Sequence, residues 1–527
     1  MPIGSTGPSS VSGGDATIFR STALSAPHRA FANMKTCPPF WFEPAPWIDG
    51  VWRRPDRHGG DAFAVRNPAT GGLLAEVGRA GADTVTAAIE GAARAARGWR
   101  DTPAALRGEI LKATAALLLA RRDDLARLLT SEQGKPYAQA AGEVDYAASF
   151  FQWFGEEARR VHGRIVPHPE AGREFLVERR PAGVAGLITP WNFPLAQGAK
   201  KVAAALAAGC TAVWKPAEAT PLVALAIAPI LAAAGLPPGV LQIVPGRGSV
   251  VGPMLASHPA VRVLSLTGST ATGSDLMAAA APGIKRLSLE LGGNAPFVIL
   301  PDADLGIVTE HLVRLKTFVS GQVCVTANRI FVHVDHQQEL IERLVAAIAA
   351  LRVGDGLAAG VDAGPLIHAR ACRDVRGRVD EAVAAGARIV AENRSFAGAT
   401  GLESENFFPP TVVAGVDDAM RLASEEIFGP VIPLLTYRSL SDAVERANAT
   451  PYGLAAYVYG ADLGRLRAVA SALEAGIVGV NEWRPLKAEI PFGGVKQSGI
   501  GAEGGEEGIG EFLETRVVSM PKPEVEG

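Results

Sequence analysis

Between residues 183 and 293 the chain alternates apolar runs with Ala-rich helical stretches, and this pattern constrains the fold more than any other feature. Residues 184–189, 211–214, 240–244, 261–266 and 287–291 read as strands, with helices predicted over 196–208, 222–234, 249–256 and 273–280. Strands and helices alternating at this spacing predict a parallel, doubly wound α/β sheet. Such sheets bind ligands in the crevice beyond the carboxyl ends of their strands. Those ends carry Pro190-Trp191-Asn192, Lys215-Pro216-Ala217-Glu218, Pro245-Gly246 and Thr267-Gly268-Ser269.

The rest of the chain frames this block. Residues 81–160 show helical periodicity, through Val85, Ala88, Ile89 and Ala92 and then Ile110, Ala113, Leu117 and Leu118. Residues 47–52 read as a short strand and turn. Two extended segments over 163–180, broken by Pro167, Pro169 and Gly172, predict a protruding β-hairpin. A second α/β pattern runs from 295 to 490, with a strand at 329–334, a helix at 339–351 and strands near 412–413 and 431–435. A last strand is expected at 515–519. A length of 527 residues suits two or three domains. Residues 1–36, rich in Ser, Gly, Ala and Pro, predict a disordered tail, with Met34 an alternative start.

A formal net charge of −3 gives no reason to expect nucleic acid or an anionic membrane as partner. The longest charge-free stretch, 219–246, is broken by Pro221, Pro229, Pro237 and Pro238, so no transmembrane helix is predicted. No secretory signal pattern opens the chain. Cys37, Cys210, Cys324 and Cys372 form no C-x-x-C pair, which points to a reducing, cytoplasmic compartment.

Two segments carry the reactive groups. Glu290 stands in Leu289-Glu290-Leu291-Gly292-Gly293, and Cys324 follows 34 positions later in Gly321-Gln322-Val323-Cys324. Glycines beside each let backbone approach a ligand closely. A thiol attacks a carbonyl carbon, and a carboxylate activates the water that releases the acyl group. A free cysteine taken alone is more often a buried structural group. Asn192, between Pro190 and Pro194, is either a turn residue or an amide donor to a developing oxyanion.

Nucleotide features are less standard. Residues 268–273 follow a strand and open a helix, so backbone N–H groups there suit a phosphate. The dinucleotide fingerprint does occur at Gly499-Ile500-Gly501-Ala502-Glu503-Gly504. No clear strand precedes it, and it reads as a flexible loop. Lys215 and Glu218 suit ribose hydroxyls, and a carboxylate at Glu218 would repel a 2′-phosphate, favouring NAD over NADP. His333, His336 and Glu339 span a strand-to-helix junction, so no metal site is expected.

From about Trp47 to Ser519 the chain resembles the NAD(P)-dependent aldehyde dehydrogenase superfamily. The resemblance rests on Pro190-Trp191-Asn192-Phe193-Pro194, Leu266-Thr267-Gly268-Ser269-Thr270, the Glu290 and Cys324 motifs, Glu425-Glu426-Ile427-Phe428-Gly429-Pro430 and Pro491-Phe492-Gly493-Gly494-Val495-Lys496. It implies an α/β fold of two doubly wound Rossmann-type domains with a small β oligomerisation element, assembled as homodimers or homotetramers. The NAD-binding domain would take 37–160 and 181–292, the oligomerisation element 161–180 and 505–527, and the catalytic domain 293–504.

By the same resemblance Cys324 would be the nucleophile and Glu290 the deacylation base, with Asn192 and the Cys324 N–H as the oxyanion hole. Cofactor contacts would come from Thr189, Pro190, Trp191, Lys215, Glu218, Gly248, Gly252, Gly268, Ser269, Gly273, Leu291, Gly292, Glu426 and Phe428. Of these, Lys215 and Glu218 would hold the adenosine ribose, Ser269 the pyrophosphate, Glu426 and Phe428 the nicotinamide end, and Gly248 and Gly252 the adenine.

Leu291-Gly292-Gly293-Asn294-Ala295-Pro296, Ala207-Ala208-Gly209-Cys210 and Val495-Lys496-Gln497-Ser498-Gly499 are most similar to succinate-semialdehyde dehydrogenases. Those enzymes hold the substrate carboxylate with two arginines and a serine. Ser498 matches the serine, while the arginine positions fall on Lys200 and Phe318, with Arg484 or Lys487 as substitutes. Phe193 and Gln197 complete the expected substrate contacts. The implied reaction takes an aldehyde, including carboxylate-bearing semialdehydes, through a thiohemiacetal and a thioester to the acid. CoA-acylating relatives lack the deacylating glutamate. A non-catalytic binding protein would need none of the three groups, and a cysteine hydrolase would need no nucleotide features.

Overall fold

The computed structural model describes residues 40–53, 61–396 and 401–523. The expected tail and Cys37 lie outside these residues. Four sheets organise the described chain. The largest has eight strands, with Arg286–Glu290, Val261–Thr267, Val184–Ile188, Thr211–Lys215 and Leu241–Ile243 mutually parallel. Helices pack against it, so strands such as Thr211–Lys215 are buried along their whole length. That double covering explains why they read as continuous apolar runs rather than alternating ones. Trp47–Ile48 and Val51–Trp52 extend the far edge antiparallel.

The second sheet has seven strands, from Arg388–Glu392 at one edge to Ile477–Val480 at the other. Ala295–Ile299, Ala327–His333, Val431–Tyr437 and Ala455–Tyr459 form its buried parallel centre. The first sheet's strand Arg286–Glu290 and the second sheet's Ala295–Ile299 are consecutive, so residues 291–294 pass between the two. The expected hairpin is present: Arg164–Pro167 pairs with Arg173–Pro181, and Leu513–Pro521 adds a third antiparallel strand. Among the described residues no helix is long and apolar enough to cross a membrane.

Three expectations are corrected. Ala113 is exposed, because the helix Ala104–Ala120 turns Ile110, Leu111, Thr114, Ala115 and Leu118 inward instead. The helix expected from 273 starts at Thr270, since the Ser269 hydroxyl accepts the Thr272 N–H and caps it. The Gly499–Gly504 segment is no free loop. Gly499–Ile500 pairs antiparallel with Leu289 and Glu290, joining the first sheet, and Phe492 and Glu503 form a further bridge.

Candidate active site

Cys324 is delivered by a strained turn. The helix Leu305–Thr317 gives way to Phe318–Gly321, where Val319, Ser320 and Gly321 take φ of 50°, 53° and 72°. A β-branched residue at positive φ is rare. Each such residue costs about 1–3 kcal/mol and persists only where its surroundings hold it. Here Gln139 Oε1 accepts the Val319 N–H, Ser320 Oγ donates to Gly364 O, and the Gln322 amide bonds Val319 O and the Ile367 N–H. Gly321 is obligatory: a Cβ there would meet Gly429 O at 2.2 Å. Gly293 is equally constrained, since its Cβ would meet Cys324 O at 2.3 Å. This close approach brings the Cys324 backbone against the segment that follows Glu290.

Glu290 ends its strand 2% exposed, and neither carboxylate oxygen has a full hydrogen bond. Burial, and then the charge of Glu503, push its pKa up to about 7. The carboxylate interacts with the Cys324 thiol, whose own pKa is raised well above the usual thiol value by burial and then by Glu290. At neutral pH the pair is therefore a protonated thiol beside a carboxylate near its titration point. Glu503 behaves oppositely. Against the upward push of burial, Lys201 and Lys200 hold its carboxyl below the ordinary carboxylate range.

Asn192 lies in the loop after Val184–Ile188, 3% exposed. Its Nδ2 donates to Gln322 O at 2.9 Å, which ties it to the cysteine turn. An amide nitrogen has two hydrogens, so one donor remains. Its backbone carbonyl accepts from Lys135 Nζ at 2.7 Å. Lys135 is ion-paired with Glu143, and both side chains are fully buried. Glu143 also accepts the N–H groups of Leu195 and Ala196, capping the helix Pro194–Ala208 from outside. The position of Asn192 thus rests on a buried ion pair.

Most of the expected cofactor residues follow strands of the first sheet, while Glu426 and Phe428 come from the segment before the second sheet's Val431–Tyr437. Thr189 Oγ1 accepts from Trp214 Nε1, and Pro190 follows it. Trp191 meets Phe428 edge-on at 5.5 Å, and Phe428 itself takes φ 55°. Lys215 Nζ donates to Pro216 O, and burial lowers its pKa to about 8. Gly248 and Gly252 face open space, with nothing within 4 Å of where a Cβ would stand. Gly268 and Ser269 precede the helix Thr270–Ala280, and Gly273 packs on Leu291. Glu426 Oε1 accepts the Gly293 N–H, and burial pushes its pKa up to about 8. The premise behind the NAD preference needs correction. Glu218 is not a free carboxylate: Arg79 Nη1 lies 2.6 Å from its Oε1, and the same guanidinium also pairs with Asp61. The pairing offsets part of the repulsion that a bare carboxylate would exert on a phosphate.

A cavity opens on Cys324, enclosing about 610 Å³ with its mouth included. Phe193, Gln197, Lys200 and Phe318 line it as expected. Ser498 does not. It is fully buried, and its hydroxyl donates to Gly292 O and accepts the Gly453 N–H, so it fastens backbone instead. Arg484 lines the cavity, whereas Lys487 is exposed and does not. Tyr146, Trp483, Leu486 and Phe492 also line it and were missed, as were Lys135, Glu143, Glu503 and Arg79 near the site. Glu143 left one signal: it shares the buried stripe of Tyr137–Glu157 with Ala140, Val144 and Ala147. The others left none in local pattern. Among the described residues no cluster of His, Cys, Asp and Glu is placed to hold a metal ion.

Comparison with known proteins gives one consistent result. The model of the aldehyde dehydrogenase family matches residues 52–518. A 3-sulfolactaldehyde dehydrogenase of Pseudomonas putida is 45% identical, over 90% of this chain and 96% of the relative. A succinate-semialdehyde dehydrogenase [NADP(+)] of Escherichia coli strain K12 is 44% identical, over 90% and 97%. The crystal structure of succinate-semialdehyde dehydrogenase from Burkholderia pseudomallei superposes with a TM-score of 0.89 at 44% identity, covering 93% of this chain and all of that one.

Proposed function

The chain belongs to the aldehyde dehydrogenase family, and from that premise we propose that Cys324, Glu290 and Asn192 together oxidise a semialdehyde to its acid. The observation that carries this reading is Glu290 itself: a buried carboxylate with no full hydrogen bond, set against the Cys324 thiol. A scaffold gains nothing from such a group, because an unpartnered buried polar group is costly.

In this reading Glu290 takes the Cys324 proton as sulfur bonds to the aldehyde carbon. The resulting oxyanion meets the free Asn192 amide hydrogen and the Cys324 N–H. Bound NAD(P)+ supplies the hydride acceptor. The residues present fit it, with open space at Gly248 and Gly252, a helix N-terminus at Ser269 and the Trp191–Phe428 pair. Loss of hydride leaves a thioester on Cys324. Glu290, once it has given the first proton up to solvent, draws a proton from water; hydroxide adds to the thioester carbon, the C–S bond breaks, and the departing thiolate takes the Glu290 proton as the acid leaves. We read the first sheet as the cofactor domain and the second as the catalytic domain.

For the cofactor we read NAD+ with NADP+ also admitted, because Arg79 offsets part of the Glu218 charge; a relative named for NADP(+) supports that breadth. The family acts on small aldehydes and is generally oligomeric. The three-stranded sheet exposes Ile165 and Val517, which suits an interface between copies in a dimer or tetramer. We place the protein in the cytoplasm, which the free Cys210, Cys324 and Cys372 favour.

The test is NADH or NADPH formation from succinate semialdehyde with CoA omitted. Turnover is expected with the natural chain and none with Cys324→Ala. Near-normal turnover by Cys324→Ala, or a strict need for CoA, would sink the proposal.

A further inference from the structure

The cavity before Cys324 contains two cations in different circumstances. Lys200 Nζ lies 3.6 Å from Glu503 Oε2 and 3.8 Å from the centre of the Phe492 ring. Its charge is answered by a carboxylate and a ring face. Arg484, on the loop before Pro491, rests 4.8 Å above the Phe318 ring. Among the described residues it has no ion pair and no hydrogen bond. A guanidinium carries five N–H donors in a planar fork. Tyr146 and Glu143 favour its charge from a distance, and the N–H donors of the half-buried fork are left for solvent or a ligand.

The surrounding wall is aromatic: Tyr146, Phe193, Phe318, Tyr457, Trp483 and Phe492. Rings of this kind bury flat apolar surface and stack on it, edge or face. Phe318 belongs to both features, since it carries Arg484 on one side and meets Phe193 and Trp483 at 5.6 and 5.9 Å. A short flexible substrate would leave much of this surface uncovered. A ring-bearing one would cover it and present its far end to the fork.

We propose that this pocket selects aldehydes with a flat, preferably aromatic body and an anionic group remote from the aldehyde carbon, a carboxylate or sulfonate held by Arg484. The inference rests on the reading of Cys324 as the nucleophile and goes beyond it in naming the substrate class. A carboxylate and a sulfonate both present oxygens that accept the fork in bidentate fashion.

Initial rates with 4-carboxybenzaldehyde, 4-methylbenzaldehyde and succinate semialdehyde test this, using either cofactor. The carboxylated ring is expected to exceed the methylated one by about 10–100-fold in kcat/KM, the value of charge-assisted hydrogen bonds, and chiefly through KM. Arg484→Met should bring that ratio close to one. Should that variant fail to fold, Arg484→Lys keeps the charge, loses the fork, and should still lower the ratio several-fold. An unchanged ratio in either variant, equal rates for the two rings in the natural chain, or turnover confined to succinate semialdehyde overturns the inference and leaves the dehydrogenase reading standing. Failure to oxidise any of the three aldehydes overturns the dehydrogenase reading itself.

Discussion

Two buried polar clusters flank the candidate nucleophile, and they are built on opposite plans. On one side Lys135 and Glu143 are each other's partner, and their remaining valences go to Asn192 O and to the Leu195 and Ala196 N–H groups. On the other side Glu290 has no full hydrogen bond and no ion pair, while its neighbour Glu503 pairs with both nearby lysines, Lys200 and Lys201. Burial is similar in the two clusters, so burial alone does not decide what a carboxylate does. Where charge is matched the group fixes geometry. Where it is withheld the group keeps a pKa of about 7 and remains free to move protons.

Removing the unmatched carboxylate should break the comparison most sharply. Glu290→Gln is expected to lower steady-state turnover about 10²–10⁴-fold. A stopped-flow burst of reduced cofactor should persist if deacylation is the step lost. The pH profile carries the sign. Below about 7 the Glu290 carboxyl is protonated and cannot act as base, so kcat should fall about tenfold per unit on the acid side. That limb should vanish in Glu290→Gln. Stability should move the other way with pH. A carboxyl whose folded pKa is raised favours the folded state at low pH, and this contribution is lost as pH rises from the ordinary carboxylate range to about 7. Tm measured across that window should decline more in the natural chain than in the variant.

Breaking the matched cluster should act first on stability. Lys135→Met leaves Glu143 charged and unpaired in the interior, at a cost of about 3–5 kcal/mol. Denaturant unfolding should record it, and a loss below about 1 kcal/mol would mean the pair is not the anchor of this cluster. Asn192→Ala removes the donor that this pair positions, and kcat should fall about 10²–10³-fold with little change in unfolding. A proportionate loss of stability would assign Asn192 a packing role instead. The smallest expected effect lies farther from the chemistry. Arg79→Ala frees Glu218 to repel a 2′-phosphate, so the NADP+ to NAD+ ratio of kcat/KM should drop about 3–30-fold, within the range of coupling between close charges.

Local pattern carried the architecture and singled out the candidate reactive residues. Apolar runs buried on both faces, turn glycines and the order of strands and helices predicted the first sheet from 184 to 290 almost element by element. The hairpin was legible for the same reason, since Pro167, Pro169 and Gly172 punctuate it. Cys324, Glu290 and Asn192 were visible because each sits in a short segment whose neighbours are unusual. Where pattern misled, the cause was a side chain's partner rather than its backbone. Ser498 has the right neighbours in sequence, yet its hydroxyl is spent on Gly292 and Gly453. Glu503 looked like part of a flexible loop, yet it is the carboxylate that pairs with Lys200 and Lys201 beside Glu290.

The chain by itself therefore determined which elements form and which side chains are candidates for the chemistry, because backbone propensity and apolar periodicity are properties of neighbours along the sequence. Only the tertiary structure decided which charges are answered and which are left bare. A pKa, an ion pair or a free guanidinium depends on what burial removes and on groups far away in sequence, as Arg484 against Phe318 and Arg79 against Glu218 both illustrate.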